Sequence, residues 1–206
     1  MRYILALLLF GVTFLINAQK LDSITVKAVF GSTNPEMQEL MEFLGVERHH
    51  IELNDPKLAG KLFHLTSQEY RNGVAQPEQD IFGFARHKEA SQVDSTGKLA
   101  FDVYARTVDP TTIEAFFRLL RAGQRKTFKV KADDAGRYSF RTDILSYKNQ
   151  KATIPIGKKF PFLVHTLPYD KDGFSYYCTV AQGNLPVTDW YKQWFLSTFD
   201  TVGEFS

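Results

Sequence analysis

The sequence predicts an α+β protein in which a mostly antiparallel β-sheet, built of hairpins, carries two short helices. Three observations lead to this fold class. Runs of β-branched and aromatic residues recur along the chain, and turn signals such as Asn-Gly and Asp-x-x-Gly separate them. Two segments instead carry apolar residues at helical spacing behind an N-capping residue and a proline. The regular strand–helix alternation of a doubly wound nucleotide-binding fold is absent from the sequence.

The stretch around Asp172-Gly173 predicts the central hairpin. The runs 160–167 and 174–181 are rich in residues that suit a half-buried strand. The segment 168–173 between them favours a tight reversal, because glycine accepts a positive φ. Similar turns predict two further hairpins, with strands at 84–93 and 98–107 and at 127–132 and 137–145.

Both predicted helices begin at a capping residue followed by proline. Asn34 suits the N-cap, Pro35 the first helical position and Gly45 the residue after the end. The second helix is expected to begin at Asp109-Pro110 and to end at Gly123. The apolar faces are predicted to contain Met37, Leu40, Met41 and Leu44 in the first helix and Ile113, Phe116, Phe117 and Leu120 in the second.

Other segments are less distinct. The segment 58–70 fits a helix or a strand, and the hairpin signal Asn72-Gly73 favours strands on both sides of it. The stretch 146–159 is either a linker between two small halves or a long loop of one domain, and we favour one domain. The aromatic segment 188–199 stays open between helix and strand. Alternation predicts two more strands, at 21–30 and 46–53.

Residues 1–18 predict a cleaved secretory signal. Arg2 precedes an apolar run that is shorter than the roughly 20 residues needed to span a bilayer, and the small residue Ala18 follows. A retained N-terminal anchor is the alternative. Cleavage before Gln19 would leave 19–206 as a single β-rich domain without a transmembrane segment, in a bacterial periplasm or outside the cell.

Composition indicates a globular chain, with 44% hydrophobic residues, 14% aromatic residues and a formal net charge of +2. The single cysteine, Cys178, excludes an internal disulfide. Its position within an aromatic run favours a buried apolar role over that of a nucleophile, since no local Cys/His signature accompanies it.

No sequence motif identifies an enzyme. The five histidines lack the spacing of a zinc site, and the segment Asp170–Gly173 lacks the downstream glutamate of a calcium loop. A glycine-rich phosphate loop and a Gly-x-Ser-x-Gly nucleophile elbow are also absent from the sequence. We therefore expect neither a catalytic group nor a metal ion or cofactor.

Two groups of residues are candidates for ligand binding. Aromatic rings can stack on sugars or on a partner protein, and basic residues can bind acidic groups. Six positive residues and no acidic residue lie between Arg118 and Lys131. The candidates are Trp190, Tyr191 and Trp194 for stacking and Arg118, Arg121, Lys129 and Lys131 for a positive surface. The alternatives are packing of the aromatic rings against the core and a solvated charged face.

These features favour an exported, non-catalytic binding module at the cell envelope. Its partner would be an acidic polysaccharide or another envelope protein, whereas nucleic acid does not suit an exported chain. One alternative is a hydrolase of envelope or extracellular polysaccharide, which would need two carboxyl groups in a cleft. The other alternative is a structural or assembly subunit, which would expose a large apolar patch.

Overall fold

A computed structural model describes residues 22–71, 74–82, 91–119, 122–142, 152–177 and 194–202. In these ranges the chain is mostly antiparallel β-sheet, and it has one α-helix, α1 (Pro35–Phe43), and two 3-10 helices, Pro56–Leu58 and Ala132–Arg137. The strands are β1 (Ser23–Phe30), β2 (Val46–Asn54), β3 (Leu62–Arg71), β4 (Val74–Ala75), β5 (Gln79–Asp80), β6 (Lys98–Asp109), β7 (Thr112–Leu119), β8 (Ala122–Lys129), β9 (Ser139–Arg141), β10 (Ala152–Pro155), β11 (Phe160–Thr166), β12 (Tyr169–Lys171), β13 (Phe174–Tyr176) and β14 (Trp194–Val202).

The strands form two large sheets and a short two-stranded ribbon. Sheet A has the order β10-β1-β2-β6-β7-β8, and every neighbouring pair in it is antiparallel. Sheet B has the order β4-β3-β14-β11-β9, with β5 also paired to β3. The ribbon consists of β12 and β13. The prediction of a mostly antiparallel sheet is therefore confirmed.

Sheets A and B share one hydrophobic core. Their inward positions alternate with outward ones along each strand, as in β7, where Ile113, Ala115 and Phe117 are buried. Phe101 of sheet A meets Phe162 of sheet B edge to face, with ring centroids 5.2 Å apart. Contacts of this kind bury large aromatic side chains and hold the two sheets together.

Helix α1 forms where the sequence predicts it, because its start and end are specified locally. The Asn34 side chain accepts a hydrogen bond from the Met37 N–H at 3.0 Å, Pro35 occupies the first turn, and Gly45 has a φ of +62°. Of the four residues of its predicted apolar face, Met41 alone is buried.

The predicted second helix is wrong, because its residues form β7 and β8. Asp109 accepts a hydrogen bond from the Thr111 N–H at 2.8 Å, so it supports a tight turn between β6 and β7 instead of capping a helix. Phe117 is buried and Phe116 lies on the opposite, half-exposed side of the strand. Leu120 lies outside the described residues.

The strands do not pair as the predicted hairpins require. Strand β11 pairs with β9 and β14, and the turn at Asp172-Gly173 joins the three-residue strands β12 and β13. Asp172 and Gly173 have φ values of +52° and +80°, which a two-residue turn of this kind demands. Strand β6 pairs with β2 and β7, and β8 pairs with β7, whereas residues 139–141 of the predicted partner of β8 pair with β11. Residues 84–90, 143–145 and 178–181 of the predicted hairpins lie outside the described residues.

The segments left open in the sequence resolve mainly as strand. The segment 58–70 contributes β3, which pairs with β4 across residues 72–73. Within 188–199, the described part belongs to β14. The stretch 146–159, which we expected to be a loop, contains β10, and this strand pairs with β1 at one edge of sheet A.

Candidate functional site

The structure separates the predicted basic residues. Arg118 and Lys129 both lie on the outer face of sheet A, the face turned away from sheet B, but Lys129 lies opposite Thr112, six residues along β7 from Arg118. Six residues of strand correspond to about 20 Å. Lys131 follows the end of β8 and is exposed. The predicted continuous positive surface of helix and strand is therefore not formed by these three residues.

The other predicted site residues lie mostly beyond what the structure describes. Trp194 begins β14, where its backbone lies opposite Tyr70 of β3. The residues outside the described ranges are Arg121, Cys178, Trp190 and Tyr191. For these four, the interpretations based on sequence remain predictions.

The outer face of sheet A carries a straight row of four side chains on four neighbouring strands. Arg48 of β2 lies opposite Tyr104 of β6, which lies opposite Phe116 of β7, which lies opposite Arg125 of β8. Directly opposed residues of antiparallel strands share one face. We call this set the outer row. With strands about 4.8 Å apart, its two arginines are separated by about 14 Å at the backbone.

Neighbouring members of the outer row are in contact. The Arg48 guanidinium carbon lies 6.0 Å from the centre of the Tyr104 ring, and that of Arg125 lies 4.9 Å from the centre of the Phe116 ring. The two rings are stacked, with centroids 6.3 Å apart and an interplanar angle of 30°. Cations over ring faces and stacked rings both stabilise the arrangement that the strand register imposes.

Gly123 makes room for the outer row. Phe116 packs over it so closely that a Cβ atom at position 123 would lie 2.7 Å from the ring. Any side chain there would displace the ring from its place between Tyr104 and Arg125. The glycine that the sequence predicted as a helix end thus helps to position an aromatic ring.

Carboxylates hold the guanidinium groups around the outer row. Asp102 accepts from Arg48 at 2.6 Å and lies 3.1 Å from His50 Nδ1. Glu114 lies 2.6 Å from Arg125 and 3.5 Å from Arg106. Each of these acidic groups is thus shared between two basic groups.

This arrangement leaves the outer face with an excess of positive charge. Around the outer row, four guanidinium groups, from Arg48, Arg106, Arg118 and Arg125, accompany the carboxylates of Asp102 and Glu114. The Arg125 and Arg106 side chains are 60% and 53% exposed, so they can exchange a partner with solvent. A surface that pairs aromatic faces with forked cationic donors can hold a ligand that has both apolar faces and acidic groups.

A cavity of about 340 Å³ lies at the end of the core next to α1. Glu47, an inward-facing residue of β2, lines it, and its carboxylate accepts bonds from the Phe140 N–H and the Ser139 hydroxyl, both at 2.8 Å. Burial raises the pKa of the Glu47 carboxyl, and the bonds from Phe140 and Ser139 oppose that shift. Glu47 therefore links sheet A to sheet B.

His165 lies deep in the wall of the same cavity. It faces Phe140 on the neighbouring strand, with stacked rings 4.2 Å apart, and its ring lies 5.1 Å from that of Tyr138. Burial lowers the pKa of His165 to about 3. The imidazole is therefore neutral at physiological pH, and it fills the core as an aromatic ring.

The described part of the chain contains no cluster of three or more His, Cys, Asp or Glu residues arranged to hold a metal ion. It also contains no helix of the length and hydrophobicity that crossing a membrane requires.

The described residues thus combine two antiparallel sheets, one α-helix and an arginine–aromatic surface. Comparison of the chain with protein-family models, with curated proteins and with solved structures gave no match in any of the three cases. The chemistry of the described surfaces is therefore the basis on which a function can be inferred.

Proposed function

We propose that the protein is an exported, non-catalytic binding module that holds an acidic polysaccharide on the outer face of sheet A. The outer row carries this proposal. Sugar rings present apolar C–H faces that can pack on the exposed parts of Tyr104 and Phe116, while uronate carboxylates can accept paired hydrogen bonds from Arg48 and Arg125. The row crosses the strands in a straight line, which suits an extended polymer.

Charge reversal within the outer row tests the proposal. In binding measurements with alginate, Arg125→Glu should weaken affinity by about tenfold or more, because it replaces a forked donor by a repelling carboxylate. Phe116→Ala should also weaken binding by removing a stacking face. Added salt should weaken the binding of the wild-type protein, since the attraction is electrostatic.

Lys98→Glu is the matched control. Lys98 lies on the same face and strand as Tyr104, about 20 Å along β6, and is also paired with a carboxylate, that of Glu52. It should change affinity less than twofold, and neutral dextran should not bind through the arginines. Equal losses of alginate affinity in Lys98→Glu and Arg125→Glu, or undetectable binding of alginate at low salt, would contradict the proposal.

A hydrolase is the second candidate, supported by one observation. Glu42 and Glu47 both line the cavity next to α1, and a carboxyl with a raised pKa suits a general acid. New reducing ends after incubation of alginate with the wild-type protein, and their loss in Glu47→Gln, would favour this candidate over a binding module.

Export is a separate part of the proposal. Mass spectrometry of the protein from the periplasmic or secreted fraction should give a chain that begins at Gln19, because signal peptidase cleaves after a small residue such as Ala18. A chain that retains residues 1–18 in that fraction would contradict cleavage and support the retained anchor.

A further inference from the structure

Helix α1 exposes most of the apolar face that its sequence pattern would normally bury. Met37, Leu40, Phe43 and Leu44 are exposed by 49%, 49%, 87% and 57%, respectively. They lie three or four residues apart, so they adjoin one another on the helix surface, and we call them the α1 stripe. Single exposed apolar residues are common, but a contiguous group of this kind marks an interaction surface.

The helix does not need the α1 stripe to hold its place. Its other side carries the attachment: Met41 is buried, and the Gln38 side chain accepts a hydrogen bond from the Ser32 N–H at 2.8 Å. Gln38 also donates to Glu42 at 2.7 Å within the helix. The stripe is therefore directed away from the body of the protein on an element that is already fixed.

A row of glutamates flanks the α1 stripe. Glu36 and Glu39 lie one turn before Leu40 and Phe43, respectively, and the helix contains no lysine or arginine. Among the described residues, neither Glu36 nor Glu39 forms an ion pair. An occupant that complements this surface presents apolar side chains next to positive charge.

We propose that the α1 stripe is the docking site for a basic amphipathic helical segment of another protein. This inference is independent of the polysaccharide site, because α1 is acidic and an anionic polymer would be repelled by it. The charge also selects among occupants. An anionic membrane surface attracts basic helices, so it does not suit the acidic helix α1. A face-to-face contact with a second copy would bring two glutamate rows together, and these would repel each other.

The size of the helix limits the strength of the contact. Nine residues of α-helix are about 13 Å long, which is shorter than the span of a standard protein interface. We therefore expect a reversible contact in which apolar residues of the partner helix lie along the stripe and its lysines or arginines meet the glutamates.

A designed peptide pair tests the proposal. One peptide carries leucines at i, i+3, i+4 and i+7 with flanking lysines, and the other has glutamates in place of the lysines. Isothermal titration with the full chain should detect binding of the lysine peptide only. The double variant Leu40→Ser/Phe43→Ser should weaken that binding by about tenfold or more.

Two further double variants distinguish a specific docking site from nonspecific hydrophobic binding. Val74→Ser/Val108→Ser removes two other exposed apolar side chains, 62% and 52% exposed, and should leave the affinity unchanged. Glu36→Lys/Glu39→Lys should reverse the preference between the two peptides, so that the glutamate peptide binds and the lysine peptide does not. Circular dichroism should show the wild-type fold in every variant, since all of these positions are exposed.

Three results would overturn the proposal. The first is a lysine peptide that does not bind, or that binds Leu40→Ser/Phe43→Ser as tightly as wild type. The second is concentration-dependent dimerisation in analytical ultracentrifugation that Phe43→Ser abolishes, which would assign the stripe to a second copy. The third is binding of phosphatidylcholine vesicles that requires Phe43, which would assign it to a membrane.

Discussion

Replacing Phe117 by alanine should cost about 3–5 kcal/mol of the free energy of unfolding, whereas the same change at Phe116 should cost about 1 kcal/mol. Phe117 is 1% exposed in the core shared by the two sheets, so its removal leaves a cavity there. Phe116 lies on the outer face of the same strand and is half-exposed. Urea unfolding of both variants measures the difference.

This pair distinguishes a strand from a helix. In a helix, Phe116 and Phe117 would both belong to the apolar face with Ile113, and their replacement would have similar effects. In β7 they point to opposite faces, so only one of them supports the core. Equal costs for the two variants would contradict the strand. A selective loss of polysaccharide binding in Phe116→Ala would connect its exposed face to function.

The segment 109–123 was ambiguous between helix and strand for a physical reason. Apolar residues at 113, 116 and 117 satisfy helical spacing, but the alternation of 113, 115 and 117 equally satisfies a strand. Asp109-Pro110 suits the start of a helix and also a tight turn. What decides between them is the presence of β6 and β8 on either side, and the local sequence does not contain that information.

Helix α1 could be predicted because its determinants are local. Asn34, Pro35 and Gly45 act within one turn of the helix ends, and the structure contains each in the predicted role. The exposure of its apolar face could not be predicted in the same way. Periodicity shows that a helix has an apolar side, but it does not show what covers that side.

The candidate site could not be predicted from the sequence for the same reason. The outer row joins residues at positions 48, 104, 116 and 125, and strand register alone makes them neighbours. The sequence shows the basic excess that contains Arg118 and Arg125, but its pattern predicted a helix that included Arg118 and ended at Gly123, before Arg125. The signal that could have found the row is the outward alternation of Asp102, Tyr104 and Arg106 in β6, which the sequence does show.

Acidification from pH 8 to pH 4.5 should destabilise the fold by about 2–3 kcal/mol through His165 alone. Its pKa is about 3 in the folded protein, because burial among Tyr138 and Phe140 disfavours the charged ring, and 6.5 in the unfolded chain. Below pH 6.5 the unfolded state therefore binds a proton that the folded state does not. Stability is lost progressively as the pH falls through this window.

Glu47 opposes part of the loss of stability on acidification, so its contribution must be measured separately. Its raised pKa means that the folded state holds a proton more readily than the unfolded state just above pH 4.5, so its contribution favours folding on acidification. Glu47→Gln removes that contribution and should steepen the loss of stability at low pH. The variant keeps an acceptor for the Phe140 N–H.

Urea unfolding at half-unit pH intervals measures the slope of stability against pH in wild type and in His165→Gln. Because His165 is a buried imidazole whose pKa is lowered, the slope of His165→Gln between pH 6.5 and pH 4.5 should be smaller than the wild-type slope, even though the variant is less stable at pH 8. If His165→Gln retained that slope, or wild type were equally stable at pH 8 and pH 4.5, the neutral buried imidazole would not be the group that limits stability in acid.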